Sequence, residues 1–334
     1  MIRSVVPSLL LPVLLIVSVP APAEEQTAAD PAQGILRQLG FDPDDALPRL
    51  RKGEILSEER GAAVAVAVMM NGDLDAIARW LQGEELLLSN REVRAFGLIA
   101  APYTDAVFQP VRLDPQEEAD WIDALFSGKP SRDVNLSTEE LQGFAALQDR
   151  FEGTCSEDPA CVAEVNRLFR EVLLARTKAY LRGGLDAIAP YAREGGKSLE
   201  PGAALRADAE AVGAIGRALP GFQKNYLDYA GGDLAGTGHE LAWLQEVTGG
   251  QRNYVLSHRF YRREPGGVIV AERQFYVGRF YDAFEAVLAG IPTQDGILLC
   301  FRARPTPDGG VGGKKLTSVI TARLKELRKT VGGK

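Results

Sequence analysis

The stretch RFYRREPGGVIVAERQFYVGRFY (residues 259–281) decides how the C-terminal third of the chain folds. Two runs rich in aromatic residues and arginine flank the tetrapeptide Glu264-Pro265-Gly266-Gly267. A short loop of this kind between two such runs is typical of a β-hairpin. Antiparallel pairing from the loop outward places Arg263 opposite Val268. It then assigns each remaining residue of one strand a partner on the other strand.

The two faces of this predicted hairpin differ in polarity. The more apolar face has the pairs Phe260–Ala271, Leu256–Phe275, Tyr254–Val277 and His258–Arg273. The other face has the pairs Arg259–Glu272, Tyr261–Val270 and Ser257–Gln274. Because a strand turns its apolar face to the core, we expect the first set to be buried.

Arg273 and His258 are the polar residues of the apolar face. A buried cation is costly unless an anionic group meets it. We therefore expect these two residues to receive the anionic or carbonyl end of a ligand whose apolar part lies along neighbouring side chains. The predicted ligand-binding residues are His258, Arg273, Phe260, Leu256, Phe275 and Tyr276. The alternative is that an internal Asp or Glu compensates Arg273, and that His258 is a core residue.

The N-terminus has the pattern of a secretory signal peptide. Arg3 gives a positive start, residues 9–17 are mostly apolar, and Ala21-Pro22-Ala23 has the small-x-small pattern of a cleavage site. The apolar stretch is shorter than the ~20 residues that cross a bilayer, so an uncleaved anchor is the alternative. We expect an exported protein that is periplasmic or extracellular after cleavage near Ala23.

Two of the three cysteines are close in sequence. Cys155 and Cys161 lie in the segment TCSEDPAC, and in an oxidising compartment we expect them to form a disulfide. Cys300 lies in the apolar run GILLCF, which predicts a small buried core residue.

Composition and charge limit the class of protein. Of the 334 residues, 46% are hydrophobic, which is enough for a globular core. Residues 251–334 hold 15 Lys+Arg and 7 Asp+Glu, whereas residues 1–250 hold 23 and 38. A basic C-terminal region can attract anions, and a peripheral contact with membranes through it is one interpretation. We expect no nucleic-acid partner, because the protein is net acidic and its N-terminus predicts export.

Hydrophobic periodicity predicts an α+β fold with an antiparallel sheet, a long C-terminal helix and a large helical middle segment. The predicted strands are residues 62–70, 93–101, 253–263, 267–280 and 296–304. The predicted helices are residues 74–81, 114–126, 159–182, 203–219, 280–290 and 314–331, with a further helix that starts at the Ser137–Glu140 capping box.

These elements divide the chain into five segments. They are a signal peptide (1–23), a leader, linker and short helix (24–52), an N-terminal α/β part (53–113), a helical segment (114–219), and a C-terminal antiparallel sheet with the final helix (220–334). The last segment and residues 53–113 are candidates for a single domain.

The sequence contains no recognisable catalytic or metal motif. With only His239 and His258 in the chain, a histidine-rich metal site is excluded, and we expect neither a metal nor a cofactor. The segment DGGVGGKKLT (308–317) lacks the first glycine and the Ser or Thr of a phosphate-binding loop.

Both ends of the chain resemble the helix-grip fold of START-like lipid-binding and polyketide-cyclase-like proteins. A strand and a helix at Gly61–Leu81, and strands followed by a long helix at Asn253–Val331, occur in the order of that fold. The helical segment at 114–219 departs from it. The resemblance implies a curved antiparallel sheet around the last helix, with an apolar cavity between them.

The favoured interpretation is an extracytoplasmic carrier or sensor for a small apolar, acidic molecule or lipid, because such pockets combine apolar walls with a few polar groups. One alternative is a hydrolase- or cyclase-like enzyme that uses the same cavity, with His258 as acid or base. Another is an envelope protein whose basic C-terminal region contacts anionic lipid or a partner.

Overall fold

A computed structural model describes residues 31–83, 92–211, 220–230, 234, 236–264, 266–306 and 313–331. The predicted signal peptide lies outside these residues. The described chain is an α+β protein with a large antiparallel sheet, helices on both faces of it and a long C-terminal helix, as predicted.

The main sheet has eight antiparallel strands in the described residues, in the order β1-β2-β10-β9-β8-β7-β6-β3. Its strands are β1 (Ile55–Arg60), β2 (Ala63–Met70), β3 (Val93–Ile99), β6 (Gly238–Thr248), β7 (Gln251–Glu264), β8 (Gly267–Val277), β9 (Ala283–Thr293) and β10 (Gly296–Thr306). A separate small hairpin consists of β4 (Tyr191–Arg193) and β5 (Lys197–Leu199).

Distant parts of the sequence meet in the main sheet. Strand β2 pairs with β10, which places Ala67 opposite Cys300, and β3 pairs with β6 at the other end of the sheet. The N-terminal strands and the C-terminal strands therefore share one sheet.

The α-helices of the described residues are α1 (Pro31–Leu39), α2 (Pro43–Arg51), α3 (Leu74–Gln82), α4 (Pro115–Ser127), α5 (Thr138–Ala145), α6 (Pro159–Gly183), α7 (Pro201–Ala211), α8 (Pro220–Leu227) and α9 (Gly313–Val331). Asp73 caps α3 and Asp114 caps α4 by accepting hydrogen bonds from backbone N–H groups. Both hydrogen bonds of the predicted Ser137–Glu140 capping box are present at the start of α5.

Helices cover both faces of the main sheet, so its central strands are buried on both sides. We call the two sides the α6 face and the α9 face. The α6 face packs against α1, α2, α8 and the helical middle segment, and it includes Phe260 and Leu256. The α9 face packs against α3 and α9, and it includes Val66 and Val270.

The predicted hairpin forms, and its register is correct near the loop. Arg263 lies opposite Val268, and the pairing continues as predicted to Ser257 opposite Gln274. A β-bulge then shifts the register, so that Leu256 pairs with Tyr276. The predicted pairs Leu256–Phe275 and Tyr254–Val277 are therefore wrong, because a bulge adds one residue to one strand.

Five of the described strands were not predicted from their sequence, namely β1, β4, β5, β6 and β9. The predicted helix at 280–290 is wrong, since Ala283–Thr293 forms β9, and Gly238–Thr248 forms β6. Strand β9 is buried along most of both faces, so it lacks the alternation of polar and apolar residues that marks a half-exposed strand. The predicted helix at 203–219 starts at Pro201, and its part from 212 lies outside the described residues.

The expected disulfide joins Cys155 and Cys161, with an S–S distance of 2.01 Å, and Cys300 is buried as predicted. None of the helices in the described ranges has the length and hydrophobicity that a bilayer-crossing helix needs.

Candidate functional site

The predicted ligand-binding residues lie together on the α6 face, enclosed by protein. None of them is more than 1% exposed. These residues are Leu256, His258, Phe260, Arg273, Phe275 and Tyr276. His258 and Arg273 are paired across β7 and β8 as expected, whereas their role in binding a ligand stays a prediction.

Both ring nitrogens of His258 are hydrogen-bonded. Nδ1 lies 3.0 Å from the Tyr180 hydroxyl, and Nε2 lies 3.0 Å from Nδ1 of the exposed His239. Arg273 donates to the Tyr180 oxygen at 3.4 Å, so the single proton of Tyr180 is free to go to His258. If Tyr180 donates to Nδ1, His258 carries its proton on Nε2 and donates it to His239, and this is the tautomer that we predict.

Burial lowers the pKa of His258 well below its usual range, and His239 and Arg273 lower it further. The imidazole is accordingly neutral in the folded protein. A neutral ring with one donor and one acceptor matches the two hydrogen bonds that it makes.

Arg273 also has its partners inside the protein. Its Nη2 donates to the backbone carbonyl of Tyr226 at 3.1 Å, and its guanidinium lies 4.2 Å from the centre of the Tyr226 ring. Glu285, which is 1% exposed, lies directly opposite Arg273 on β9 and accepts a hydrogen bond from the Tyr226 hydroxyl. Burial raises the pKa of Glu285 to about 7, and Arg273 opposes this rise. An internal carboxyl group thus faces Arg273, as in the alternative interpretation.

A cavity lies on the opposite face of the sheet, between the strands and α9. Its volume is about 120 Å³. Its apolar wall includes Leu244, Val270, Phe284, Phe301, Leu316 and Ile320, and its polar lining includes Glu246, Glu272, Gln274, Tyr281 and Arg323. We call it the α9 cavity. None of the six predicted ligand-binding residues lines it.

Three polar residues of the α9 cavity form a closed ring of contacts. The Tyr281 hydroxyl lies 2.6 Å from Gln274 Oε1 and 3.0 Å from Glu246 Oε2, and Gln274 Nε2 donates to Glu246 Oε1 at 3.2 Å. Tyr281 has only one proton to donate. When it donates to Gln274, the contact with Glu246 needs a proton on the carboxyl group. A protonated Glu246 therefore completes the ring, with each residue donating once.

The surroundings of Glu246 favour this protonated state. Burial raises its pKa to about 7, and repulsion from Glu272 adds to the rise. A neutral carboxyl group at near-neutral pH is unusual for glutamate and is typical of functional sites.

Among the described residues, two cations of α9 line the cavity: Lys315, which forms an ion pair with Glu92, and Arg323. Arg323 has no hydrogen-bond or ion-pair partner among those residues, and its Nε is buried. Burial lowers the pKa of Arg323, while Glu272 and Glu246 oppose the decrease. Its charge is thus compensated only by carboxyl groups beyond ion-pair distance.

Sequence reasoning placed Gln274 and Glu272 on the polar face of the hairpin and did not consider that face as a site. The signal that could have indicated this site is the run of polar residues at alternate positions of β7 and β8. In the structure, α9 covers this face of the sheet. Glu246 and Arg323 could not be found from the sequence, because only the packing of α9 on the sheet brings them together.

Comparisons of the chain with protein-family models, with curated proteins and with solved structures find no match. The described residues also contain no group of three or more His, Cys, Asp or Glu side chains arranged to hold a metal ion. The function is therefore inferred from the geometry of the α9 cavity.

Proposed function

We propose that this protein is an extracytoplasmic binding protein that holds a small apolar, acidic molecule in the α9 cavity. The observation that carries the proposal is the cavity itself, which combines walls of aliphatic and aromatic side chains with a few polar groups. This combination is typical of small-molecule sites.

The size of the cavity limits the ligand. A dry cavity of about 150 Å³ in another protein takes up benzene. At about 120 Å³, the α9 cavity suits an aromatic ring or a short alkyl chain, and a longer molecule would extend from it into solvent.

Export is supported by two independent features. Residues 1–23 have the pattern of a signal peptide, and the Cys155–Cys161 disulfide is of the kind that persists in oxidising compartments.

Binding is favoured over catalysis because of the state of His258. Both of its ring nitrogens already have partners within the protein, and the side chain is fully buried. A general acid or base needs a nitrogen that can reach the substrate.

Native mass spectrometry of the protein purified from its own host tests the proposal. We expect a bound small molecule in the wild type, its loss in Val319→Phe, which fills the cavity from α9, and its retention in Thr321→Phe. Val319 lines the cavity, whereas Thr321 is on the same helix and does not. Thermal unfolding of both variants verifies that they fold.

Other outcomes would contradict the proposal. A bound molecule that remains in Val319→Phe would lie elsewhere. If the purified protein carries no small molecule and binds neither benzoate nor benzyl alcohol, it is not a binding protein of this kind. Salt-sensitive binding to anionic vesicles by such an empty protein would favour membrane contact through the basic C-terminal region.

A further inference from the structure

The α9 cavity contains an unsatisfied donor. Among its described lining residues, Arg323 alone has a buried side-chain nitrogen or oxygen without a hydrogen-bond partner. Buried polar groups in proteins are nearly always hydrogen-bonded, and an exception is a reason to look for an absent partner. Because the atom is a donor on a cation, that partner is an acceptor, and an anionic one binds most strongly.

The neighbouring carboxyl groups are engaged with other partners. Glu272 accepts a hydrogen bond from Ser257 at 3.0 Å, and both oxygens of Glu246 are in contact with Tyr281 or Gln274. Glu272 and Glu246 act on Arg323 only through longer-range attraction. An acceptor for the buried Nε–H would therefore be a water molecule or a ligand, and an anionic ligand would bind it most strongly.

We infer, on the basis of the proposed function, that the ligand is a monocarboxylate whose carboxylate binds Arg323, and that it binds only while Glu246 is protonated. Its apolar body then lies between α9 and the strands, against residues such as Phe301 and Ile320. Arginine suits this role because its guanidinium can bind a carboxylate through two parallel hydrogen bonds.

The charges around the cavity explain the need for the proton. Glu272 from β8 repels the Glu246 carboxylate, Arg323 from α9 attracts it and Tyr281 contacts it. Glu92 and Lys315 form an ion pair at the same cavity. With Glu246 neutral, Arg323 is balanced by Glu272 alone, and a bound carboxylate adds one negative charge. With Glu246 ionised, the carboxylate meets two negative groups and one positive group, and the hydrogen-bond ring opens.

The coupling between the proton on Glu246 and carboxylate binding predicts how the affinity depends on pH. If only the protonated form binds, the apparent dissociation constant rises in inverse proportion to the fraction of protein that keeps the proton on Glu246. Because burial raises the pKa of Glu246 to about 7, this loss begins near neutral pH. Above that pH, affinity for the carboxylate falls by about tenfold per pH unit.

Calorimetric titration with benzoate and with benzyl alcohol tests the inference, since the two probes share the ring and differ in charge. For the wild type we expect benzoate to bind more tightly at about pH 6, and to weaken by about tenfold per unit above pH 7. Benzyl alcohol should show little dependence on pH. Titrations in buffers of different ionisation enthalpy should show uptake of close to one proton with benzoate at about pH 8.

Three variants separate the roles of the residues. Glu246→Gln keeps a neutral donor in the ring, so it should bind benzoate at both pH values and take up no proton. Arg323→Gln should lose the preference for benzoate and still bind benzyl alcohol. Lys325→Gln removes an exposed cation on the same helix that does not line the cavity, and it should behave like the wild type.

The outcomes distinguish this inference from the proposed function. Equal and pH-independent binding of both probes would overturn the inference and leave the binding function in place. The inference would also be overturned if Glu246→Gln keeps the pH dependence or the proton uptake of the wild type. This second test can be carried out even if Arg323→Gln does not fold. If neither probe binds, the proposed function fails as well.

Discussion

The two faces of the sheet hold an arginine in different ways. On the α6 face, the fully buried Arg273 donates to a tyrosine hydroxyl and to a backbone carbonyl, Glu285 lies opposite it, and only its Nε lacks a partner among the described residues. On the α9 face, Arg323 has no such partner in the described residues and lines a cavity. The difference shows that a buried cation does not by itself indicate a ligand site. An unsatisfied cation beside open space is the stronger indication.

The largest effect is expected from Arg273→Met, which removes the buried cation while nearly preserving its volume. The Tyr226 carbonyl loses a donor and Glu285 loses the attraction of a nearby positive charge. Removing one of two interacting buried charges costs about 3–5 kcal/mol of unfolding free energy. Chemical denaturation measures this loss. The double variant Arg273→Met, Glu285→Gln should recover part of it.

This variant also tests whether the two faces have separate roles. Under conditions where Arg273→Met is folded, benzoate should still bind in the α9 cavity. Wild-type stability together with lost benzoate binding would instead place the ligand site on the α6 face, at His258 and Arg273.

Removal of the disulfide is expected to have the next largest effect on the free energy of unfolding. Replacing Cys155 and Cys161 with serine opens a short loop before α6, the helix that carries Tyr180 onto the α6 face. From the length of this loop we expect a loss of about 2 kcal/mol. Denaturation of the double serine variant and of the reduced wild type measures it. Because the bond is remote from α9, benzoate affinity should not change, and a parallel loss of affinity would contradict the separation of the two faces.

The pH dependence of stability sharpens the comparison on the α9 face. The pKa of Glu246 is raised from 4.5 to about 7 in the folded state, so the folded protein keeps a proton that the unfolded chain has lost. Stability from this group is therefore present below pH 4.5 and is lost as the pH rises towards 7, with a slope of about 1 kcal/mol per pH unit. Denaturation across this range should show a flatter profile for Glu246→Gln, and identical profiles would exclude the raised pKa.

On the α6 face, Glu285 should respond like Glu246, since its pKa is also raised to about 7, whereas His258 should respond in the opposite direction. His258 stays neutral in the folded protein, whereas the unfolded chain takes up a proton below its ordinary pKa of 6.5. Its contribution to stability is thus lost as the pH falls below 6.5.

The smallest and most local effect is spectroscopic, because the chain has only two histidines. Nitrogen-15 NMR should show His258 protonated at Nε2 and not titrating while the protein is folded. A ring protonated on both nitrogens at pH 6 would contradict the hydrogen-bond chain through Tyr180.

Part of the fold could be predicted because it depends on local signals. The Pro-Gly-Gly loop and the alternation along β7 and β8 determined the hairpin register up to Ser257, and capping residues located α3, α4 and α5. The register beyond Ser257 depends on a bulge at Phe275, which no turn residue announces. Most of β9 and the middle of β6, Leu241–Leu244, are buried on both faces, so these sequences show no alternation of polar and apolar residues.

The α9 cavity could not be predicted for a different reason. The sequence of the hairpin alone favours its apolar face as a binding site. Aromatic side chains from α6 and α8, such as Tyr180 and Tyr226, pack against that face in the structure. The polar face became a cavity wall because α9 covers it. A site between a helix and a sheet depends on packing between segments that are far apart in sequence.

The pairing of β2 with β10 has a consequence for how the protein assembles. Residues 71–295 are synthesised between β2 and its partner β10, so the valine-rich strand β2 lacks this partner while they are being made. Non-local pairings of this kind slow folding, and exposed apolar strands aggregate during the delay. We therefore expect the newly made chain to need protection from aggregation until β10 has been synthesised and has paired with β2.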